Sequence, residues 1–240
     1  MKTRIRAFTL AETLITLGIL GVVMAMTLPS IITSYKKQVT VAKLQKAYSV
    51  LSQAMNASVA KYGDSKYWPE WDANAEVVLR TYFAPELKNS KVYPTNADDS
   101  KLMCYERDYT VGFQSTKNEN LRYPYAWMND LYFSSPMYAT HTASMQLMDG
   151  TCVGLNSNSS RYYKKTVFVD INGPYQRPNK AGYDLFLFEI RDNNIVPLGW
   201  DWGYALSSPS QINSCHPKAN NGGMFCAAKI MEDNWQITYW

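Results

Sequence analysis

The chain has 240 residues, of which 46% are hydrophobic and 18% charged, and its formal net charge is +4. The charge falls to +1 when Lys2, Arg4 and Arg6 at the very start are set aside. A balance that small gives no support to a nucleic-acid partner, which calls for a strongly basic field. After a long apolar and amphipathic stretch, residues 63–240 have the ordinary size of a single globular domain.

Residues 1–7, MKTRIRA, form a short basic leader, and residues 8–32, FTLAETLITLGILGVVMAMTLPSII, are apolar but for a single carboxylate, Glu12. A helix of about 20 residues crosses a bilayer, and the basic residues favour the cytoplasmic side. A lone acid in hydrocarbon costs roughly 2.5–3.5 kcal/mol, so Glu12 needs a partner or a purpose. A secretory signal would be cut after its apolar core, and no small-residue cleavage site follows Ile32.

Residues 33–62 continue as an amphipathic helix, with Val41, Leu44, Tyr48, Leu51, Met55 and Tyr62 on a three-four spacing. Read as one element from Phe8 to Tyr62, the helix reaches on the order of 80 Å. Pro29 removes one ladder hydrogen bond and invites a kink. The pair Lys36 and Lys37 falls where the helix leaves the bilayer and reads as interfacial.

Downstream, Asp72 or Asn74 is placed to cap a short helix over residues 75–82, stopped by Pro85. Residues 88–120 show no period and read as irregular. Residues 144–148 and 151–155 flank Asp149-Gly150, a two-residue hairpin signal. Residues 165–171 and 183–190 alternate as strands, with Asn172-Gly173 turning the chain between them. The fold expected is α+β: a long N-terminal helix, anchor in front and amphipathic behind, packed on three or four antiparallel strands with long loops.

Four cysteines, Cys104, Cys152, Cys215 and Cys226, all lie outside the apolar segment, an even number that suits an oxidising compartment. Their spacing fits no common zinc pattern. Cys215 and Cys226 bracket a loop rich in turn formers, which favours Cys215–Cys226 with Cys104–Cys152 among the three possible pairings. Catalytic signals are missing: His141 stands in a Thr/Ser-rich stretch, and His216 is merely a chain neighbour of Cys215. No phosphate loop, metal-binding helix motif or nucleophile elbow occurs, so the chain does not read as an enzyme. Asn56-Ala-Ser58 and Asn158-Ser-Ser160 match a glycosylation triplet that is frequent by chance.

The basic leader, the run Phe8-Thr9-Leu10-Ala11-Glu12, the apolar helix and Pro29 well along it resemble the type IV pilins and type II secretion pseudopilins. The resemblance covers about the first quarter of the chain. It implies that a prepilin peptidase cuts between Ala7 and Phe8, that the new Phe8 amine is methylated, and that the helix is kept as inner-membrane anchor and then filament core. Ala7 stands where that family prefers glycine. The cut gives Glu12 its partner, since its carboxylate can neutralise the Phe8 amine of a neighbouring subunit. The plainer reading is a transmembrane anchor whose Glu12 snorkels to the interface.

Residues 170–184 resemble a loop common in pseudopilin-like heads, matching at Asp170, Asn172, Gly173, Pro178, Asn179, Gly182 and Asp184. Some members of that family hold calcium in a comparable loop, so Asp170, Asn172, Asn179 and Asp184 are candidate ligands. The same carboxylates and amides are what an ordered turn uses for local hydrogen bonds. Otherwise no cofactor is expected. Eighteen Tyr and seven Trp, clustered at residues 123–127, 200–202 and 235–240, suit subunit contacts, core filling or an adhesive surface.

The expected role is a structural filament subunit, residing in the inner membrane with its head outside the cytoplasm before joining other subunits. The alternative is a minor tip pilin acting as an adhesin or DNA-uptake module.

Overall fold

The computed structural model describes residues 9–68, 74–93, 101–102, 105–106, 142–156, 165–173, 176, 178–200, 206, 208, 210–211, 214–219 and 222–240. Helix α1 runs Leu10–Tyr62, 53 residues, and continues through Pro29. At about 1.5 Å per residue that is roughly 80 Å. It stops at Gly63, whose φ of +84° and N–H bond to the Val59 carbonyl (2.9 Å) make a left-handed C-terminal cap. The chain divides into two compact units, the first ending at Val39 and the second spanning Thr40–Trp240.

In the first unit the large apolar side chains of α1, from Leu10 to Ile32, are 44–79% exposed. In the second, the same helix buries Leu44, Ala47, Leu51, Ala54, Met55 and Ser58. Three of the expected stripe residues, Leu44, Leu51 and Met55, lie at the centre of this face, whereas Tyr62 is 40% exposed. Ala47, Ala54 and Ser58 complete it: their small side chains let the helix approach its cover closely.

Beyond the helix come a 3-10 turn (Ser65–Tyr67), α2 (Ala75–Val78) and a π-turn (Leu79–Phe83). The Asn74 side chain accepts from the Glu76 N–H at 2.8 Å and is the cap of α2; Asp72 lies outside the described residues. The π-turn leaves room for the buried Ser58 hydroxyl to donate to the Tyr82 carbonyl.

A single antiparallel sheet of six strands has the order β1 (Lys91–Tyr93), β4 (Thr142–Gln146), β5 (Cys152–Asn156), β6 (Thr166–Asp170), β7 (Leu185–Arg191), β8 (Asn194–Pro197). A separate ribbon pairs β2 (Lys101–Leu102) with β3 (Tyr105–Glu106), and α3 (Cys226–Glu232) follows late in the chain. The sheet is therefore larger than three or four strands. β1 falls in the stretch read as irregular, because three residues are too few to show a period. β8 follows a tight turn at Asp192 and Asn193, which both adopt positive φ (+47° and +66°), as a primed hairpin turn requires.

Register places Met145, Val153, Val169 and Phe186 in one cross-strand row, and Ala143, Leu155, Val167 and Phe188 in the next. Both rows belong to one hydrophobic core with the buried residues of α1, and the Tyr48 ring stacks on Phe188 at 5.7 Å. The opposite face carries Gly154, Phe168 and Leu187, and Phe168 and Leu187 are also fully buried. β7 thus buries both faces, with Leu185, Phe186, Leu187 and Phe188 all at 0% exposure. Each such side chain contributes about 1.5–3 kcal/mol of transfer free energy.

The β4–β5 hairpin corrects the sequence expectation. A two-residue Asp149-Gly150 loop would pair Met148 with Thr151, but the sheet pairs Gln146 with Cys152 and Met145 with Val153. Leu147 N–H reaches the Thr151 carbonyl (2.9 Å), Gly150 N–H reaches the Leu147 carbonyl (3.0 Å), and Gly150 has φ +88°. This is a three-residue loop of residues 148–150 ending in a left-handed glycine. The shift by one residue inverts the face of every side chain on one strand relative to the other, and it leaves Met148 74% exposed at the tip.

Candidate functional site

At the start of α1, Thr9 is the N-cap. Its N–H and its hydroxyl both donate to Glu12 Oε2, at 2.8 and 2.9 Å, and the Glu12 N–H donates to Thr9 Oγ1 at 3.2 Å. This is a reciprocal capping box, and Thr9-x-x-Glu12 is its sequence signature, which the charge-based reading of the segment overlooked. The carboxylate thus satisfies one of the helix's orphan donors and sits favourably at the positive end of the helix dipole. Ala7 and Phe8 lie outside the described residues.

Further along, the Thr13 hydroxyl donates to the Leu10 carbonyl, Thr16 to Thr13, Thr27 to Val23, Ser30 to Thr27 and Thr33 to Pro29, at 2.8–3.0 Å. These hydroxyls consume their protons inside the helix, which makes the segment compatible with hydrocarbon. A shallow apolar groove lined by Met24, Ala25, Leu28, Pro29, Ile32 and Thr33 lies on this part of the helix.

In the head, the loop between β6 and β7 is organised by two buried carboxylates. Asp170 Oδ1 accepts from the N–H groups of Asn172 (3.1 Å) and Gly173 (2.8 Å). Asp184 Oδ2 accepts from Asn179 N–H (2.8 Å) and Asn172 Nδ2 (3.4 Å), and its Oδ1 from Lys180 N–H (2.6 Å). Asp184 is 3% exposed, and its desolvation outweighs these donors and pushes its carboxyl above the ordinary aspartate value. The four residues named as candidate calcium ligands are thus brought into one loop, with both carboxylates engaged by backbone donors. The Asn172 Oδ1 atom is buried without a hydrogen-bond partner among the described residues.

The C-terminal residues close over the same loop. The Gly182 carbonyl accepts from the Tyr239 hydroxyl (2.7 Å) and the Trp240 indole N–H (3.1 Å), and Tyr183 stacks on Trp240 at 4.8 Å. Trp235 meets Tyr48 of α1 at 5.9 Å. These rings of the C-terminal cluster fill structure, whereas Tyr67 and Trp200 are exposed at 75% and 48%. Residues 123–127 and 201–202 lie outside the described residues.

Cys215 is bonded to Cys226, and both are fully buried. Cys152, in β5, is disulfide-bonded as well, and Cys104 lies outside the described residues. His216 Nδ1 accepts from the Lys218 N–H at 3.1 Å, a local turn contact, and the sulfur next to it in the chain is tied up in the disulfide. His141 lies outside the described residues. Among the described residues no group of three or more His, Cys, Asp or Glu side chains could hold a metal ion. The Ser58 hydroxyl of the first glycosylation triplet is buried in a hydrogen bond, and Asn158-Ser-Ser160 lies outside the described residues.

These features define an α+β protein with one N-terminal helix long and apolar enough to cross a membrane and a disulfide-stapled antiparallel head. The chain belongs to DUF6613, a family of unknown function, whose family model matches residues 30–239, the head and the part of α1 that enters it. No curated protein and no solved structure matches it.

Proposed function

We propose that this chain is a subunit of a type IV pilus-like or type II secretion pseudopilus filament, held in the inner membrane through α1 until it assembles. The observation that carries the reading is the single helix Leu10–Tyr62, whose front is apolar and exposed while its rear is built into the core of a disulfide-stapled head. A plain anchor needs only the front, and a soluble domain needs only the rear. Continuity between them suits a helix that is first solvated by lipid and then by the helices of other subunits, in an open heterologous polymer.

In this reading prepilin peptidase removes residues 1–7, Phe8 is methylated, and Glu12 pairs with the terminal amine of a neighbour. Mass spectrometry of the exported protein tests it: the expected N-terminus is Phe8 carrying one methyl group. A mature chain that retains Met1–Ala7, or one cut beyond Ile32, overturns it.

A second reading, a minor tip pilin with an adhesive or DNA-uptake head, draws on the exposed Tyr67 and Trp200. Abundance separates the two: a major subunit dominates sheared filaments, and a tip component is scarce in them.

A further inference from the structure

The tip of the β4–β5 hairpin carries a methionine, Met148, that is 74% exposed. Within the unit Thr40–Trp240 the other methionines among the described residues are shielded: Met55 and Met145 are at 0% exposure, Met224 is at 1%, and Met231 is half-buried. A single exposed apolar side chain needs no explanation, but the Met148 sulfur also has a specific polar contact. The Asn89 side-chain amide, two residues ahead of β1, donates from Nδ2 to Met148 Sδ at 3.6 Å. A thioether is only a weak acceptor.

The hairpin tip is itself held in place. Asp149 Oδ2 pairs with Lys46 Nζ of α1 at 2.8 Å, and Asp149 Oδ1 accepts from the Thr151 N–H at 3.0 Å. The sulfur is thus kept beside an amide donor and open to solvent. No cysteine among the described residues is free, so the thioethers are the reduced sulfur of this part of the chain, and Met148 is the one a dissolved oxidant reaches.

We propose that Met148 is a site of oxidative modification, at which a peroxide converts the thioether to a sulfoxide and the new oxygen takes over the Asn89 amide. A sulfur lone pair attacks one peroxide oxygen, and the S–O bond forms as the O–O bond breaks. The departing hydroxide takes the proton from the transferred oxygen and leaves as water. Sulfur loses two electrons and the peroxide gains them, so no further reactant is needed. The sulfoxide is polar and a far better acceptor than the thioether. A turn about the last torsion of this exposed side chain brings its oxygen to Asn89 Nδ2, so that oxidation fastens the hairpin tip to the segment ahead of β1. At Met55, Met145 or Met224 the same oxygen would have to enter the core.

The full chain in detergent micelles is treated with hydrogen peroxide, and samples quenched over time are mapped by peptide mass spectrometry, with fragment ions assigning each added oxygen to a residue. Met148 is expected to gain its oxygen at least about tenfold faster than Met145 of the same hairpin, because susceptibility follows exposure. The Tm of the head is expected to rise by about 2 °C once Met148 is oxidised. Asn89→Gly, which keeps the left-handed backbone of that position (φ +60°) and removes the amide donor, should oxidise at Met148 without the rise in Tm. Met148→Leu should show no change in Tm with peroxide. Equal oxidation of Met148 and Met145 overturns the site. A Tm that falls or stays level when the natural chain is oxidised, or that rises equally in Asn89→Gly or Met148→Leu, overturns the transfer of the Asn89 bond.

Discussion

Thr9 and Glu12 hold each other at the head of α1, the threonine donating twice to the carboxylate while the glutamate N–H returns a bond to the threonine hydroxyl. Glu12 therefore has a local task before any neighbour arrives, and two substitutions separate that task from subunit pairing. Glutamine keeps a carbonyl oxygen for the cap and loses the charge; alanine loses both. In the filament reading, Glu12→Gln and Glu12→Ala insert into the membrane alike, and both drop out of sheared filaments by more than tenfold. If Glu12→Gln assembles normally while Glu12→Ala does not, capping is the whole role of this carboxylate.

Asp184 offers a test of the head loop by pH. Burial raises its carboxyl pKa above the ordinary aspartate value, against the pull of the Lys180, Asn179 and Asn172 donors. The native state therefore binds this proton more tightly than the unfolded chain does. Its stabilising contribution is complete below the ordinary aspartate value and is lost as pH rises through the raised one. Urea midpoints of the natural chain should fall over that window relative to those of Asp184→Asn, which cannot titrate. The asparagine amide also faces backbone donors and leaves one unsatisfied, for a loss of about 1–3 kcal/mol at all pH values. Parallel pH profiles for the two proteins would contradict the assignment. A calcium-dependent rise in Tm would show that the loop takes a cation as well as its backbone donors.

The Cys215–Cys226 bond spans 11 residues of sequence and lies wholly inside the core. A closed loop of that size is worth about 2–3 kcal/mol against the unfolded chain. Cys215→Ser with Cys226→Ser is expected to lower the Tm by several degrees. A reductant without denaturant should leave the natural bond intact, because the sulfurs are inaccessible. Rapid thiol labelling under native reducing conditions would mean that this part of the head opens locally.

How far the sequence could be read depended on whether a pattern was long enough to average over. The apolar run, its amphipathic continuation and the placement of β5, β6 and β7 emerge because hydrophobic burial repeats over many residues. The helix face was legible at Leu44, Leu51 and Met55 and not at Ala47, Ala54 and Ser58, because small residues mark an interface by closeness and not by hydrophobicity. The hairpin at Asp149-Gly150 was visible but its register was not: one glycine with positive φ serves a two-residue and a three-residue loop equally well, and hydrogen bonding at Leu147 decides. β8 was hidden behind Asp192 and Asn193, which take the conformation usually supplied by glycine. At the candidate site the capping signature Thr9-x-x-Glu12 was present in the letters and eclipsed by the oddity of a charge in an apolar segment. The closure of the C-terminal aromatics over Gly182 joins residues 57 and 58 positions apart, which no local pattern announces.

Flanking charge poses the last question, because the two ends of the apolar run are almost evenly matched. Lys2, Arg4 and Arg6 precede it, and Lys36, Lys37, Lys43 and Lys46 follow within the distance over which the positive-inside bias acts. In the proposed orientation, with the head outside the cytoplasm, export is therefore expected to depend on the leader being present when the helix inserts. In the filament reading, cutting the leader leaves the more basic flank on the outer side, and the folded head, too large and polar to cross back, would keep it there. A chain whose Lys2, Arg4 and Arg6 are all replaced by glutamine is expected to leave a large fraction of heads in the cytoplasm. Adding Lys36→Gln and Lys37→Gln to that chain leaves only Lys43 and Lys46 on the far flank and should recover part of the lost export. Protease protection in spheroplasts measures the distribution directly. Complete export of the leader variant would show that something other than flanking charge sets the topology.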